Sequence, residues 1–146
     1  MDTGELARRY ARAFTALTAH EVEGLRALVA PEVRFCDPFN DVRGVDRFIA
    51  VFARALADIE ELTFATSKIA VDGDTAFLRW TMRGRPRTRW LGGTLVVAGV
   101  SEVRFDATGR VVEHVDHWDA AGQLYERLPL LGGLLRVLRH RLGVGG

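Results

Sequence analysis

The spacing of apolar residues predicts helices in the first part of the chain. Three helices are predicted, over residues 4–18, 20–29 and 45–58. Thr3 can cap the first helix, and Pro31 is expected to stop the second. The first helix has one apolar face, because hydrophobic residues recur there at steps of three and four. This face consists of Leu6, Tyr10, Phe14 and Leu17.

Farther along, apolar positions recur at every second residue, which is typical of strands. A short strand, "EVRFCDP", precedes this region and ends at a turn, because Pro38 excludes Asp37 from the α region. Two strands are predicted around Asp72-Gly73, a strong hairpin signal, and two longer strands around 107–109. Helices followed by a run of antiparallel strands predict an α+β fold with helices on one face of a sheet.

Length, net charge and cysteine content limit the kinds of protein that this chain can be. A chain of 146 residues suits one domain, predicted over 1–146. The net charge is +1, so no overall field favours nucleic acid, and the arginines of "RGRPRTRW" are interpreted as a solvated loop. The single cysteine excludes an internal disulfide. No apolar run reaches the length of a membrane span, and a cytoplasmic location is expected.

The C-terminal segment, 129–146, is predicted to form a basic amphipathic helix and a tail. Its apolar residues are Leu131, Leu134, Leu135, Leu138 and Leu142, with arginines between them. Three interpretations are open: the segment covers a pocket mouth, packs on a partner subunit, or lies on a membrane surface. Its two glycines and short length favour the first two.

The order helix, helix, "DP" turn, helix and long meander resembles the nuclear transport factor 2-like superfamily over about 5–120. This superfamily includes ketosteroid isomerases, SnoaL-like polyketide cyclases and limonene-epoxide hydrolases. The resemblance implies a cone-shaped α+β fold, with N-terminal helices packed on a strongly curved antiparallel sheet. A pocket inside the cone and a homodimer through the outer face of the sheet are expected.

Within that superfamily, the residues of ketosteroid isomerase have counterparts here. "RRYARAF" supplies Tyr10 on the first helix, and "FCDPF" supplies Asp37 in the turn. The family's second oxyanion donor, an aspartate, is replaced by Ser101, a weaker donor. The resemblance implies that Asp37 removes a proton beside a carbonyl while Tyr10 stabilises the oxyanion.

Each of these residues also has a structural interpretation. An aspartate before a proline often initiates a turn, so Asp37 need not be a base. Phe35 and Phe39 beside it can form the dry pocket in which a carboxylate is a better base. Tyr10 can be a core aromatic residue or a donor to a developing negative charge.

The strand "RVVEHVDHWD" is rich in polar residues. Alternation places Val112, His114, Asp116 and Trp118 on one face. These residues can bind and polarise a substrate, and Asp116 can select the tautomer of His114. The alternative is a solvated surface face. Because His117 points the other way, too few ligands gather on one face for a metal site, and none is expected.

A second resemblance is to limonene-epoxide hydrolase, which has an aspartate on its final strand. "VDHWD" places Asp116 at that position, and Arg79 can supply the family's arginine. The second aspartate of that family has no counterpart in "LRWTM". Water activation by Asp116, oriented by Arg79, is therefore the alternative activity.

These observations predict a protein that binds a small, largely apolar carbonyl compound and transfers a proton on it without a cofactor. Asp37 is the expected base, and Tyr10 is the oxyanion donor, aided by Ser101 or Asp116. His114 and Trp118 are expected to shape the pocket. Epoxide or lactone hydrolysis and a non-catalytic binding or scaffold role are the alternatives.

Overall fold

The computed structural model describes residues 2–88 and 91–144. The four α-helices are α1 (Thr3–Thr15), α2 (Val45–Asp58), α3 (Ala120–Gln123) and α4 (Leu131–Leu142). The six strands are β1 (Val29–Cys36), β2 (Asp41–Arg43), β3 (Ile59–Asp72), β4 (Thr75–Pro86), β5 (Leu95–Phe105) and β6 (Val111–His117). Two 3-10 helices cover Val22–Leu28 and Tyr125–Arg127.

The first helix is confirmed, with different ends. Its N-cap is Asp2, whose side chain accepts a hydrogen bond from the Gly4 amide at 3.1 Å. The predicted cap, Thr3, lies inside the helix, and its hydroxyl donates to the Gly73 carbonyl oxygen at 2.9 Å. The predicted apolar face packs into the core, although the helix ends at Thr15.

The second predicted helix is a 3-10 helix, and Pro31 does not stop it. The chain has already entered β1 at Val29. The pairing of β1 with β6 skips from Val29 to Arg34, so Pro31 lies in an unpaired stretch. A proline fits there because it has no amide hydrogen to donate to a neighbouring strand.

The sheet confirms the predicted α+β class. Its strand order is β2-β1-β6-β5-β4-β3, with β2 and β3 at the edges. Four of the five pairings are antiparallel, as predicted. The exception is the parallel pair of β1 and β6, which makes the sheet mixed. This pair joins the first long strand to the last one, a contact that no local pattern encodes.

The core lies between the sheet and one layer of helices. Residues of α1 and α2 share one hydrophobic cluster with β1, β4, β5 and β6. Register shifts interrupt the pairing of β3 with β4 at two places, and such irregularities bend a strand. A third shift lies between β5 and β6, where Phe105 pairs with Val111, and Val111 is fully buried although alternation places Val112 on the face of His114.

A cluster of ion pairs links β1 to its two neighbouring strands, β2 and β6. The Arg34 guanidinium in β1 donates to both carboxylate oxygens of Asp41 in β2, at 2.9 and 3.0 Å. It also donates to Glu113 of β6 at 3.1 Å. Arg34 holds the pKa of Asp41 below its usual range. Because Arg34 and Asp41 lie on either side of the turn over 37–40, their ion pair holds the two ends of this turn together.

Gly99 in β5 gives a test of the packing near the cavity. An alanine methyl there would lie 2.8 Å from the His117 carbonyl oxygen and 2.7 Å from Cζ2 of Trp80. Backbone cannot move aside cheaply, so Gly99→Ala is expected to lower the free energy of unfolding by about 1–3 kcal/mol in urea. Gly24→Ala is the control, because no described atom lies within 4 Å of its added methyl group. Equal stabilities of the two variants would contradict this packing.

Candidate functional site

A cavity of about 710 Å³ lies between the helices and the sheet. Its walls are mainly apolar and include Ala11, Phe14, Phe52, Phe64, Leu78 and Val97. Among the described residues, none after Leu124 lines it. The interpretation that the C-terminal helix covers the pocket mouth is therefore wrong for this conformation.

Five polar side chains form one hydrogen-bonded row along the cavity. The Tyr10 hydroxyl lies 2.8 Å from Nδ1 of His114, and Nε2 of His114 lies 2.8 Å from Oδ1 of Asp116. The Ser101 hydroxyl donates to the same Asp116 oxygen at 2.5 Å. Nε1 of Trp80 donates to Ser101 Oγ at 2.8 Å. All five residues line the cavity.

Sheet register assembles this row. His114 and Asp116 are two residues apart in β6, so their side chains leave the same face. Ser101 of β5 is paired directly with Asp116, and it is also paired with Leu78 of β4. Trp80, two residues beyond Leu78, therefore lies diagonally across from Ser101 on the same face.

The donors and acceptors of the hydrogen bonds in this row can be assigned in one consistent way. A carboxylate only accepts, so His114 donates to Asp116 through Nε2 and has a lone pair on Nδ1 when the ring is neutral. Tyr10 then donates its hydroxyl proton to Nδ1. Asp116 thereby selects the His114 tautomer, as the sequence suggested. The hydroxyl protons of Tyr10 and Ser101 both bond within the protein, not towards the cavity.

Asp116 presents one unused oxygen. Its Oδ1 accepts both hydrogen bonds, whereas no described group donates to Oδ2. The Asp116 side chain is 14% exposed. Among the described residues, every fully buried side-chain oxygen has a hydrogen-bond partner, so an oxygen without one is not fully buried. Oδ2 is therefore accessible. A carboxylate oxygen free to accept, with its partner oxygen held in place, suits proton abstraction or water binding.

Tyr10 is held as a neutral phenol. Burial raises the pKa of its hydroxyl well above the ordinary value, and the negative charge of Asp116 adds to that rise. The side chain is only 2% exposed and packs edge-on against Phe14 and Phe105. Tyr10 thus keeps its hydroxyl proton over the whole physiological pH range.

We expect Tyr10→Phe to lower the free energy of unfolding by about 1–3 kcal/mol near neutral pH, because His114 Nδ1 loses its partner. The raised pKa gives this cost a pH dependence. Protonated Tyr10 stabilises the fold fully below its unfolded pKa of about 10, and this contribution is lost as pH rises towards the folded value. The gap between wild type and variant should therefore shrink above about pH 10. Urea unfolding at several pH values measures it.

Tyr125→Phe is the control for that titration. Tyr125 is the other tyrosine of the chain, and it has no part in the polar row. Its replacement removes a phenol without removing a bond to His114. A gap between wild type and Tyr10→Phe that stays constant or widens with pH would contradict a raised pKa for Tyr10.

The structure places Asp37 in a turn at the cavity wall. Its Oδ1 accepts from the backbone amides of Phe39 and Asn40, at 2.8 and 2.7 Å, and from the Asn40 side chain at 3.1 Å. Three donors hold one oxygen, which is the turn chemistry that the sequence left open. Asp37 also lines the cavity, so the structure supports both interpretations of its position.

The aromatic residues predicted to shape the pocket do line it. Phe35 is buried, with its ring centroid 5.0 Å from that of His114. Phe39 is 53% exposed, and it packs edge-on against Trp118 at 5.6 Å and Tyr125 at 6.1 Å. Because Phe39 both lines the cavity and meets solvent, it marks a place where the cavity reaches the surface.

Arg79 does not reach the cavity. It is exposed and alternates with Leu78 and Trp80, which face inward, so its side chain leaves the outer face of β4. The prediction that Arg79 orients a water at Asp116 is wrong. An arginine of the cavity wall, Arg87, is bonded to the Ala57 carbonyl oxygen and to Glu60.

Trp80 and Asn40 line the cavity but were not among the predicted site residues. Trp80 lies in "LRWTM", beside Arg79, and its alternation with Leu78 and Met82 marks the inward face. Asn40 follows Asp37 by three residues, a spacing that is common in turns held by an aspartate side chain. Both signals were present in the sequence.

Comparisons with known proteins agree with this architecture. The family model of the SnoaL-like domain matches residues 7–114. No curated protein matches the chain. A nuclear transport factor 2-like protein of unknown function from Burkholderia pseudomallei is 24% identical, with a TM-score of 0.69 over 84% of this chain and 95% of that one.

Two other solved structures are similar. A hypothetical protein with a ketosteroid isomerase-like fold from Catenulispora acidiphila, in complex with trimethylamine, is 18% identical, with a TM-score of 0.69 over 82% of this chain and 89% of that one. A candidate SnoaL-like polyketide cyclase from Jannaschia sp. is 19% identical, with a TM-score of 0.68 over 94% and 89% of the two chains. At these identities the likeness shows the fold. Together with the family model, it establishes that the chain belongs to the SnoaL-like family of the nuclear transport factor 2-like superfamily.

Proposed function

We propose that this protein binds a small, mostly apolar carbonyl compound in the cavity and transfers a proton on it without a cofactor, with Asp116 as the base. The observation that carries the proposal is the accessible Oδ2 of Asp116, among apolar walls, with Oδ1 held by Ser101 and His114. This differs from the sequence-based prediction, in which Asp37 is the base.

The cavity favours a ligand of polyketide-like or steroid-like size. Its volume of about 710 Å³ lies in the usual range for small-molecule sites. Apolar walls with a few convergent polar groups favour a hydrophobic body carrying one or two carbonyl groups. The candidate polyketide cyclase of Jannaschia sp. and the trimethylamine complex of the Catenulispora protein are consistent with small-molecule binding in this fold.

In the proposed reaction, Oδ2 of Asp116 takes a proton from a carbon beside a carbonyl. The electron pair of the broken C–H bond moves onto the carbonyl oxygen and forms an enolate. The proton then returns from Asp116 to another carbon or to the oxygen. His114 and Ser101 hold the carboxylate in place during both transfers, and Trp80 in turn holds Ser101, so the base stays oriented towards the substrate.

The hydrogen bonds within the polar row favour one class of carbonyl substrate over another. Tyr10 and Ser101, the expected oxyanion donors, bond to His114 and Asp116. These two hydroxyl groups therefore stabilise a developing oxyanion less than two free hydrogen-bond donors would. A 1,3-dicarbonyl compound delocalises its own carbanion over two oxygens, so it needs less help. We expect such compounds to react faster than simple ketones.

Hydrogen–deuterium exchange tests the proposal. Wild-type protein is incubated in deuterium oxide with ketosteroids and with polyketide-like 1,3-diketones, and NMR follows the α-protons. We expect exchange above the buffer rate, greatest for the diketones. Binding without exchange would instead indicate a binding module. Incorporation of oxygen-18 from labelled water into an epoxide or lactone would indicate hydrolysis, in which Asp116 activates water.

The homodimer expectation has a separate basis. Phe77 of β4 and Val96 of β5 are exposed, and they alternate with inward-facing residues, so they lie on the outer face of the sheet. A partner that covered this face would remove both side chains from water. We propose that two copies associate through this face, which analytical ultracentrifugation measures directly.

A further inference from the structure

Helix α4 is attached to the rest of the chain by its polar side. It packs against the 3-10 turn Tyr125–Arg127. Arg136 donates to the Glu126 carbonyl oxygen at 2.6 Å, and Arg139 pairs with the Glu126 carboxylate at 3.0 Å. Gly132 lies directly against the Glu126 backbone, where an added methyl group would collide. The side of α4 that bears 132, 136 and 139 therefore faces inward.

The apolar side of α4 faces outward. Leu134 and Leu138 are 57% and 46% exposed, one helical turn apart, and Leu142 continues the same stripe. Leu131 and Val137 are exposed as well. Helices α1 and α2 bury their apolar faces in the core, so α4 has the opposite orientation. A leucine stripe facing water is unfavourable unless something covers it.

The charged residues of α4 itself are all basic. From Arg127 to the C-terminus, the sequence contains four arginines and His140 but no acidic residue. On a helical projection, the exposed Arg141 lies on one flank of the stripe, whereas Arg136 and Arg139 lie on the side that is bonded to Glu126. An exposed arginine beside an apolar stripe matches the headgroup region of an anionic bilayer, where leucines enter the acyl boundary.

We propose that α4 binds the surface of an anionic phospholipid membrane through the stripe Leu131, Leu134, Leu135, Leu138 and Leu142. None of the helices in the described ranges is long and apolar enough to cross a membrane, so α4 would lie in the interface plane. Each arginine near an anionic surface contributes about 1 kcal/mol to binding, in addition to the burial of the leucines.

A second copy of the chain fits this stripe less well. A helix of 12 residues is only about 18 Å long, so a pair of such helices buries far less than the roughly 1,200 Å² of a stable interface. Because α4 has no acidic residue, two copies would also place like charges together.

The position of α4 also matters for the cavity, a point that rests on the proposed function. Phe39, which marks where the cavity reaches the surface, contacts the ring of Tyr125 in the turn that holds α4. A membrane at α4 would therefore lie beside this opening. An apolar substrate dissolved in the lipid could enter from there.

Vesicle sedimentation tests the membrane proposal with the full chain. The vesicles contain phosphatidylcholine alone or phosphatidylcholine and phosphatidylglycerol in equal parts. We expect the wild type to bind the anionic vesicles, and salt to weaken this binding. Leu134→Glu/Leu138→Glu should reduce it at least about tenfold, because it removes apolar burial and adds repulsion. Exchange activity in solution should be unchanged, which separates this result from the proposed function.

The matched control is Ala19→Glu/Val71→Glu, which adds the same charge at exposed apolar positions after α1 and in β3, away from the proposed dimer face. It should bind anionic vesicles far better than the α4 variant. The proposal is overturned if the wild type ignores anionic vesicles, if it binds neutral ones equally well, or if the two double variants bind alike. A self-association that only the α4 variant abolishes, without vesicle binding, would also overturn it and assign the stripe to a second copy.

Discussion

Replacing Asp116 with asparagine is expected to lower the rate of proton transfer by about 100- to 10,000-fold, while the fold stays intact. The amide oxygen of asparagine can still accept from Ser101 and His114, as Oδ1 of Asp116 does. The other end of the side chain becomes an NH₂ group, which donates and cannot take a proton from carbon. The variant should therefore bind the ligand but exchange its α-protons slowly.

Asp37→Asn is the matched control for that experiment. Both positions line the cavity, and both substitutions remove one negative charge. Asparagine can accept the amide hydrogen bonds of Phe39 and Asn40 in the turn, so the variant should fold and retain most of its activity. If Asp37→Asn abolishes exchange while Asp116→Asn retains it, Asp37 is the base and the sequence-based assignment stands. Rates of exchange and unfolding curves should be measured for both variants.

The largest loss of stability is expected from Phe48→Ala. Phe48 in α2 is fully buried, with ring centroids of Phe35 and Phe52 at 5.9 and 5.1 Å. It also lies 6.2 Å from the His114 ring, so it joins α2 to the strand that carries the site. Truncating such a phenylalanine leaves a void in addition to the lost apolar burial, which costs about 3–5 kcal/mol. Urea unfolding measures this cost.

Phe77→Ala is the control for Phe48→Ala. Phe77 lies on the outer face of β4 and is 38% exposed, so the same truncation leaves no closed void. We expect it to change the free energy of unfolding by less than about 1 kcal/mol in the monomer. A Phe48→Ala variant as stable as Phe77→Ala would show that α2 does not pack on the core as described.

Much of the architecture follows from local pattern. The apolar face of α1 is recognisable because helical spacing repeats over several turns, and α2 has the predicted ends at 45 and 58. Asp72-Gly73 marks the hairpin of β3 and β4, since Gly73 takes a positive φ of 60° there. The errors concern the cap at Thr3, the second helix, which is a 3-10 helix that ends before Pro31, and the parallel pairing of β1 with β6.

The sequence by itself determined the fold class, α1, α2 and the hairpin of β3 and β4, because these depend on the order of residues along one segment. Only the tertiary structure decided which hydroxyl protons are free. Tyr10 and His114 are separated by 104 residues, and Ser101 meets Asp116 through strand register. The facing of Arg79 and Trp80, by contrast, follows from alternation along β4, which the sequence already contains. Hydrogen bonds between residues far apart in the chain depend on how the elements pack. These bonds leave Oδ2 of Asp116 accessible, whereas Oδ1 of Asp37 is held in a turn, so Asp116 is the proposed base.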